Sequence, residues 1–264
     1  MIDLEVLKSH LTTKWVGRDR LFLKQTDSTN NLAKNPPHVL VHGSLVLTEY
    51  QLKGRGQSDK SWFGDAYKNL YFSIYTKPLK IEGLFLLSLI SALSIVESIR
   101  SYHLFHPLMN QMRFKWPNDV YVGKYKIAGI LTENIFQGGL LKATVVGTGW
   151  NINQDQFPIN LQDKASSLRL LFPENWIREE LLARYLNFFE HYYTLWESQP
   201  NELVRILNSH LLGYNMPVRV VVDGLKLPGV YTCLGVDVQG HLRVLNKEKE
   251  VDTFTYEQIR IYPV

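Results

Sequence analysis

The sequence predicts an α+β domain, built on a mixed or antiparallel sheet with flanking helices, followed by a small SH3-like β-barrel. Three observations predict it. Alternating apolar stretches and amphipathic helical stretches interleave through residues 1–212. The most apolar run, residues 84–99, is broken by Ser88, Ser91, Ser94 and Ser98 at helical spacing and contains Glu97, so it reads as a packed core helix. At Gly213 the texture changes, and short strands alternate to the end with breaks at Asp223-Gly224, Pro228-Gly229 and Gln239-Gly240. The expected division is therefore 1–212 for the main domain and 213–264 for the all-β cap.

The elements follow in order. Residues 3–11 make a short helix with Leu4, Leu7 and Leu11 on one face, and a strand follows over 20–25. Asp27-Ser28-Thr29-Asn30 offers four residues of the helix-capping kind before a turn of helix at 30–34, which Pro36-Pro37 ends. Residues 44–49 and 69–76 read as strands, and after the serine-striped helix 112–116 and 120–122 are two more. Gly123-Lys124 turns the chain into a strand at 126–133, and Gly138-Gly139 turns it into another at 141–147. Helices are expected at 175–198 and 201–212, with Trp176, Leu181, Leu182, Tyr185 and Phe189 as a buried stripe.

Composition narrows the function. The chain has 264 residues, 45% hydrophobic and 20% charged, which is globular rather than disordered. A single cysteine, Cys233, excludes a disulfide scaffold, a thiolate zinc cluster and a dithiol redox centre. The balance of 29 basic against 25 acidic residues leaves +4, too little to argue for nucleic acid. The acidic N-terminus lacks the order of a signal peptide, and the serine breaks argue against a membrane span, so a cytoplasmic protein is expected. The eight histidines show no metal-ligand spacing, and no GxSxG elbow is present.

Three segments carry polar chemistry, each with a plain structural alternative. Residues 51–62 hold Gly54-Arg55-Gly56, with Lys53, Lys60 and Trp62 nearby; this is either an exposed loop or an anion cradle closed by an indole. It is neither a P-loop nor a dinucleotide fingerprint. Lys115-Trp116-Pro117-Asn118-Asp119, with Lys126 seven residues on, is either a hairpin corner or a cleft in which a fixed ammonium faces anions. Gly147-Thr148-Gly149-Trp150-Asn151 and Asn153 mark either a bulge and a cap or a close approach of backbone to ligand.

Together and in this order, the segments resemble the biotin protein ligase family. The matching pieces are Asp27-Ser-Thr-Asn30, Glu49-Tyr-Gln-Leu-Lys-Gly-Arg-Gly56 with Trp62, Lys115-Trp-Pro-Asn-Asp119, Lys126-Ile-Ala-Gly-Ile-Leu131, Gly147-Thr-Gly-Trp-Asn151 and Ser166-Ser-Leu168. The resemblance implies a class II synthetase-like catalytic domain with an SH3-like C-terminal module. It implies ATP-dependent formation of biotinyl-5′-AMP and transfer of biotin to a lysine of a biotin carboxyl carrier domain. Ser28, Thr29, Asn30, Gln51, Arg55, Gly56, Gln57, Trp62, Lys126 and Gly129 are implied for biotin, and Arg55, Gln57, Trp62, Asn118, Asp119, Lys126, Gly149 and Asn151 for ATP. Lys126 and Arg55 are the implied catalytic cations, and magnesium is implied as carried by ATP oxygens and water rather than by side chains alone. Such chemistry needs no protein nucleophile, because it works by bringing two anions together.

Two departures from the family are visible. Many members carry a second arginine and a later glycine after Gly-Arg-Gly, where this chain has Gln57-Ser58-Asp59-Lys60, so a looser hold on the adenylate is expected. About 26 residues precede the Asp-Ser-Thr-Asn segment, too few for the DNA-binding domain of some members, and no operator binding is expected. A lipoate ligase of the same fold and a non-catalytic biotinyl-adenylate sensor are the competing readings. A homodimer through an exposed strand edge is left open.

Overall fold

The computed structural model describes residues 1–57, 60–102, 106–172, 174–255 and 259–264. The first part is a seven-stranded sheet in the order β1-β2-β3-β7-β6-β5-β4. Its strands are β1 (Arg20–Thr26), β2 (Ser44–Gln51), β3 (Leu70–Thr76), β4 (Met112–Lys115), β5 (Asp119–Val122), β6 (Tyr125–Gln137) and β7 (Leu140–Trp150). β1 and β2 run parallel and every other neighbouring pair antiparallel. The parallel pair is possible because a helix, α2 (Thr29–Lys34), crosses over between them.

Alternation along the strands sends side chains to two faces. Leu45, Leu47, Phe72, Ile74, Val146 and Trp150 enter the main core, whereas Val46, Tyr75, Ala143 and Val145 pack beneath α2 with Ala33 and Leu40. The main face is covered by α1 (Leu4–His10), α3 (Leu86–Arg100) and α5 (Arg178–Ser198), with a one-turn α4 (Leu168–Leu171) and α6 (Pro200–His210) at its margin. α3 is buried almost all round, and its serine stripe is accommodated by hydrogen bonding. Ser94 and Ser98 donate to Ile90 O and Ser94 O one turn back, and Ser91 bonds Tyr185 Oη at 2.8 Å and Thr148 Oγ1 at 3.1 Å. Among the described residues no helix is long and apolar enough to cross a membrane.

Several boundaries differ from expectation for identifiable reasons. β6 and β7 extend well beyond 126–133 and 141–147, because their pairing continues from Ala128↔Trp150 to Gln137↔Leu140. α5 starts at Arg178 rather than 175, since Ile177 is its extended N-cap and the Trp176 carbonyl accepts from Asn153 Nδ2. α6 begins at Pro200, the helical position that needs no N–H, and stops at His210. The chain beyond it bridges β4, with the Leu212 N–H donating to Phe114 O at 2.8 Å.

The C-terminal part is a curled antiparallel sheet, a half-barrel of SH3-like kind. It contains β8 (Pro217–Val222), β9 (Leu225–Lys226), β10 (Tyr231–Val236), β11 (Leu242–Leu245), β12 (Val251–Phe254) and β13 (Ile259–Pro263). The path is β12-β11-β10-β8-β13, with β9 paired to β8, so β12 and β13 lie at opposite ends of the sheet. Cys233 is fully buried in it as a small core residue. The cap is fastened to the main domain by Trp116 Nε1 donating to Gly240 O at 3.0 Å and by two bonds between Asn208 and Val236.

Candidate functional site

The α2 face of the sheet is apolar under the helix and then loses its side chains. On β7 the same-face positions run Ala143, Val145, Gly147, Gly149, and on β6 Gly129 stands directly opposite Gly149. These glycines form a floor. A Cβ on Gly147 would lie 2.0 Å from Asn30 Oδ1, one on Gly149 2.5 Å from Trp62 Cε2, and one on Gly129 2.7 Å from Trp62 Cζ3. Above the floor is a cavity of about 470 Å³ whose walls come from α2, the β2–β3 loop, the β4–β5 and β6–β7 strands, and β13 of the cap.

The loop that the sequence marks as glycine-rich folds over as a short flap. Arg55 and Ser61 form an isolated antiparallel bridge, the Gly56 N–H donates to Lys60 O at 2.6 Å, and the Trp62 N–H donates to Gly54 O at 2.9 Å. Arg55, Gly56, Gln57 and Trp62 all reach the cavity. Ser58 and Asp59 lie outside the described residues. Lys60 lines the cavity, but Lys53 does not; it pairs with Asp27 at 3.2 Å on the surface.

At one end the lining is neutral and hydrogen-bonding. Ser28 is the N-cap of α2, yet its hydroxyl makes no capping bond. The Thr29 N–H donates to Gln51 Oε1 at 2.8 Å, so one orphan donor of the helix is satisfied from β2, and the Ser28 hydroxyl, free of a capping bond, lines the cavity. Asn30 Nδ2 donates to Leu131 O at 3.0 Å and to Glu133 Oε2 at 2.7 Å. Arg55 Nη2 stands 2.8 Å from Glu133 Oε2, and Lys34 Nζ 2.7 Å from Glu133 Oε1. Burial alone would raise the Glu133 carboxyl, but hydrogen bonds from Lys34 and Asn30 and the charges of Lys34 and Arg55 hold it below its ordinary range.

At the other end charge dominates. Lys126 Nζ stands 2.5 Å from Asp119 Oδ1 and 5.3 Å from the Trp62 ring centroid. Lys126 is fixed by its backbone, which exchanges bonds with the 164–166 segment: its N–H donates to Lys164 O at 2.9 Å and its carbonyl accepts from the Ser166 N–H at 3.0 Å. Lys115 is buried against the cap, its Nζ 3.9 Å from the Tyr262 ring centroid. Burial pushes its ammonium down to about 8, with Asp119 opposing and Arg260 and Lys126 adding to the effect. Tyr121 beside it is pushed up to about 12, chiefly by burial. Among the described residues the cavity is lined by six cations, Arg55, Lys60, Lys115, Lys126, Lys164 and Arg260, against one carboxylate, Asp119.

The cavity thus gathers Ser28, Thr29, Asn30, Gln51, Gly129, Asn118, Gly149 and Asn151 with the flap residues, Lys126 and Asp119. Asn118 is tied down, donating from Nδ2 to Ile130 O at 2.7 Å. Asn153, which the sequence offered as a ligand contact, turns away to the Trp176 carbonyl and is not part of the lining. Sequence reasoning missed Glu133, Lys164 and the cap residues Arg260 and Tyr262. Glu133 had a signal, since it shares a strand face with Gly129 and Leu131. Arg260 had none: it donates to Gln57 Oε1 at 3.4 Å across 203 residues of chain.

Comparisons with known proteins agree with this geometry. Residues 22–151 match the model of the biotin/lipoate A/B protein ligase family. The chain is 27% identical over 249 residues to the bifunctional ligase/repressor BirA of Bacillus spizizenii, covering 90% of this chain and 73% of that one. It is 28% identical over 226 residues to the biotin–[acetyl-CoA-carboxylase] ligase of Mycobacterium tuberculosis, covering 83% and 80%. Its fold is similar to that of the Aquifex aeolicus biotin protein ligase in complex with biotin and ATP, with a TM-score of 0.78 at 25% identity over 94% of this chain and 100% of that one.

Proposed function

Because residues 22–151 form a biotin/lipoate A/B protein ligase domain and the chain is homologous to biotin protein ligases, we propose that it is an ATP-dependent biotin–[acetyl-CoA-carboxylase] ligase. In the first step a biotin carboxylate oxygen attacks the α-phosphorus of ATP, and the bond to pyrophosphate breaks. In the second a carrier lysine amine attacks the acyl carbon of biotinyl-5′-AMP, AMP leaves, and the amine gives up a proton. The observation that carries the reading is one continuous cavity with a neutral hydrogen-bonding end and a cationic end. A cyclic urea suits the first and a carboxylate meeting a triphosphate suits the second.

Each residue has a role in this proposal. Ser28, Thr29, Asn30 and Gln51 hold the urea ring, and Trp62 over Gly129 and Gly149 encloses the apolar part of biotin. Lys126 neutralises the biotin carboxylate and the α-phosphate as they meet. Arg55, Gly56 and Gln57 belong to the flap, while Asn118, Asp119, Asn151 and Gly149 stand on the phosphate side.

Magnesium fits the donor set. Asn151 Oδ1 is buried without a hydrogen-bond partner among the described residues, and Asp119 supplies a carboxylate on the same wall. Both are hard oxygen ligands, and the described residues hold no cluster of three or more His, Cys, Asp or Glu, so phosphate oxygens and water would complete the sphere. The ion would offset phosphate charge. The same proposal divides the chain at 212 and 213, takes a biotin carboxyl carrier domain as the partner, and places the enzyme in the cytoplasm. A homodimer contact has β1 as its open sheet edge, since β4 is bridged by Leu211.

The test is purified protein with ATP, magnesium and a carrier domain, blotted with streptavidin. Lys126→Ala is expected to cut labelling by about 10²-fold or more while melting at the wild-type temperature. Lipoylation without biotinylation, or pyrophosphate release without transfer, would overturn the reading.

A further inference from the structure

Asn30 lies in the first turn of α2, buried, on the wall expected to face the urea ring. Its amide has two hydrogens to give and one carbonyl oxygen to receive. Both hydrogens are spent on the protein, one on Leu131 O and one on Glu133 Oε2. The oxygen accepts from Ser73 Oγ at 2.7 Å and keeps a second lone pair. Turning the amide over would set its oxygen against a carbonyl and a carboxylate with no hydrogen between them, which is strongly disfavoured. Asn30 therefore meets a ligand only as an acceptor.

Leu131 O fixes one hydrogen; the second depends on Glu133. That carboxylate has Lys34 Nζ at 2.7 Å and Arg55 Nη2 at 2.8 Å, so it stays an acceptor rather than becoming a donor. It stands two residues beyond Leu131 on the same face of β6 and reaches both α2 and the flap at once. The flap cation and the ring-binding amide are thus set by one side chain.

We propose that Glu133 is a positioning residue for biotin recognition, locking the Asn30 amide so that the site presents an acceptor to the ring N–H of a cyclic urea. The inference rests on the reading of this cavity as a biotin site and deepens it. Glu133 touches neither reacting atom, so its removal should be felt in the binding of one substrate and not of the other.

Two variants separate the functions. Glu133→Gln keeps a carbonyl that accepts from Asn30 but loses the charge beside Arg55; Glu133→Leu loses both. Biotin affinity is measured by calorimetric titration with biotin alone, and KM for biotin and for ATP by biotin-dependent ATP–pyrophosphate exchange. Glu133→Leu is expected to raise the Kd and KM for biotin about tenfold or more, with KM for ATP within about twofold. Glu133→Gln should bind biotin within about threefold of wild type, which also keeps the test intact where the leucine variant does not fold. Unchanged biotin affinity in Glu133→Leu, an equal rise in both KM values, or a loss in Glu133→Gln as large as in the leucine variant would overturn the proposal. A wild-type chain that binds biotin without exchange overturns the ligase reading alone, and the Kd comparison still decides Glu133. One that binds no biotin overturns both.

Discussion

The two ends of the cavity treat charge in opposite ways. At the α2 end the carboxylate stands behind the lining: Glu133 takes both Lys34 and Arg55, and the cavity there meets hydroxyls, amides and the paired Arg55. At the cap end Lys115 and Lys126 face a wall whose one carboxylate among the described residues is Asp119. Each end holds a paired carboxylate, so pairing alone does not make the difference; the number of lining cations does, with Lys115, Lys126 and Lys164 toward the cap and Arg55 toward α2. Internal neutralisation prepares a surface for an uncharged ring, whereas cations left in excess prepare one for phosphate. Arg55 illustrates the point. The sequence offers it as a cation for the anionic substrates, and the structure joins it to Glu133 at 2.8 Å, a carboxylate it shares with Lys34.

The strongest way to break this division is to fill the floor. In Gly147→Ala the new methyl would stand 2.0 Å from Asn30 Oδ1, a separation that must displace the amide or the strand. Biotin binding is expected to fall at least about 10²-fold. ATP binding, measured separately by titration with a non-hydrolysable analogue, should change by no more than about threefold. Equal losses for both ligands would mean that the two ends are not independent.

A smaller effect is expected at the cationic end. Lys115→Met should raise KM for ATP about tenfold and leave KM for biotin unaltered. The wild-type pH dependence has a definite sign. Burial holds the ammonium at about 8, so it is charged below that pH and loses its charge above it. ATP affinity should therefore weaken as pH rises through about 8, and in Lys115→Met that step should be missing. Stability moves the other way. Between about 8 and the ordinary value of 10.5 the unfolded chain binds the proton that the folded chain has released, so this group's contribution to stability rises with pH in that window. Denaturant titrations of the two proteins across pH 7 to 10 would read the difference.

How much of this was legible in the sequence depends on distance along the chain. The glycine alternation of β7, the flap and the Lys115–Lys126 hairpin are local patterns that mark much of the lining, while the fold class came from the interleaved strands and helices and the change of texture at Gly213. Strand lengths were underread because pairing partners extend a strand beyond its own alternation, as β6 does for β7. The serine stripe of α3 is polar by type yet buried, because its hydroxyls bond within the helix or to neighbours. The burial of Lys115 and the reach of Arg260 and Tyr262 depend on how the cap docks, and no local pattern encodes docking. An exposed hairpin lysine was one sequence reading of Lys115; the cap covers it with a tyrosine ring.

The mildest effect sharpens the comparison at the seam between flap and cap. Gln57 stands where many related ligases carry an arginine, and here its Oε1 accepts from Arg260 of β13. Gln57→Arg sets a second guanidinium beside that one. In the empty protein the pair repels, which should lower the melting temperature slightly and loosen the flap. With biotinyl-adenylate bound, both cations can share the phosphate, so the repulsion becomes attraction for the ligand. Release of the adenylate, followed by stopped-flow fluorescence after mixing with excess unlabelled intermediate, should slow about threefold to tenfold, with less change in the on-rate. A variant that releases the intermediate at the wild-type rate would show that the phosphate lies outside the reach of residue 57, and the boundary between the two ends would then have to be drawn closer to Lys126.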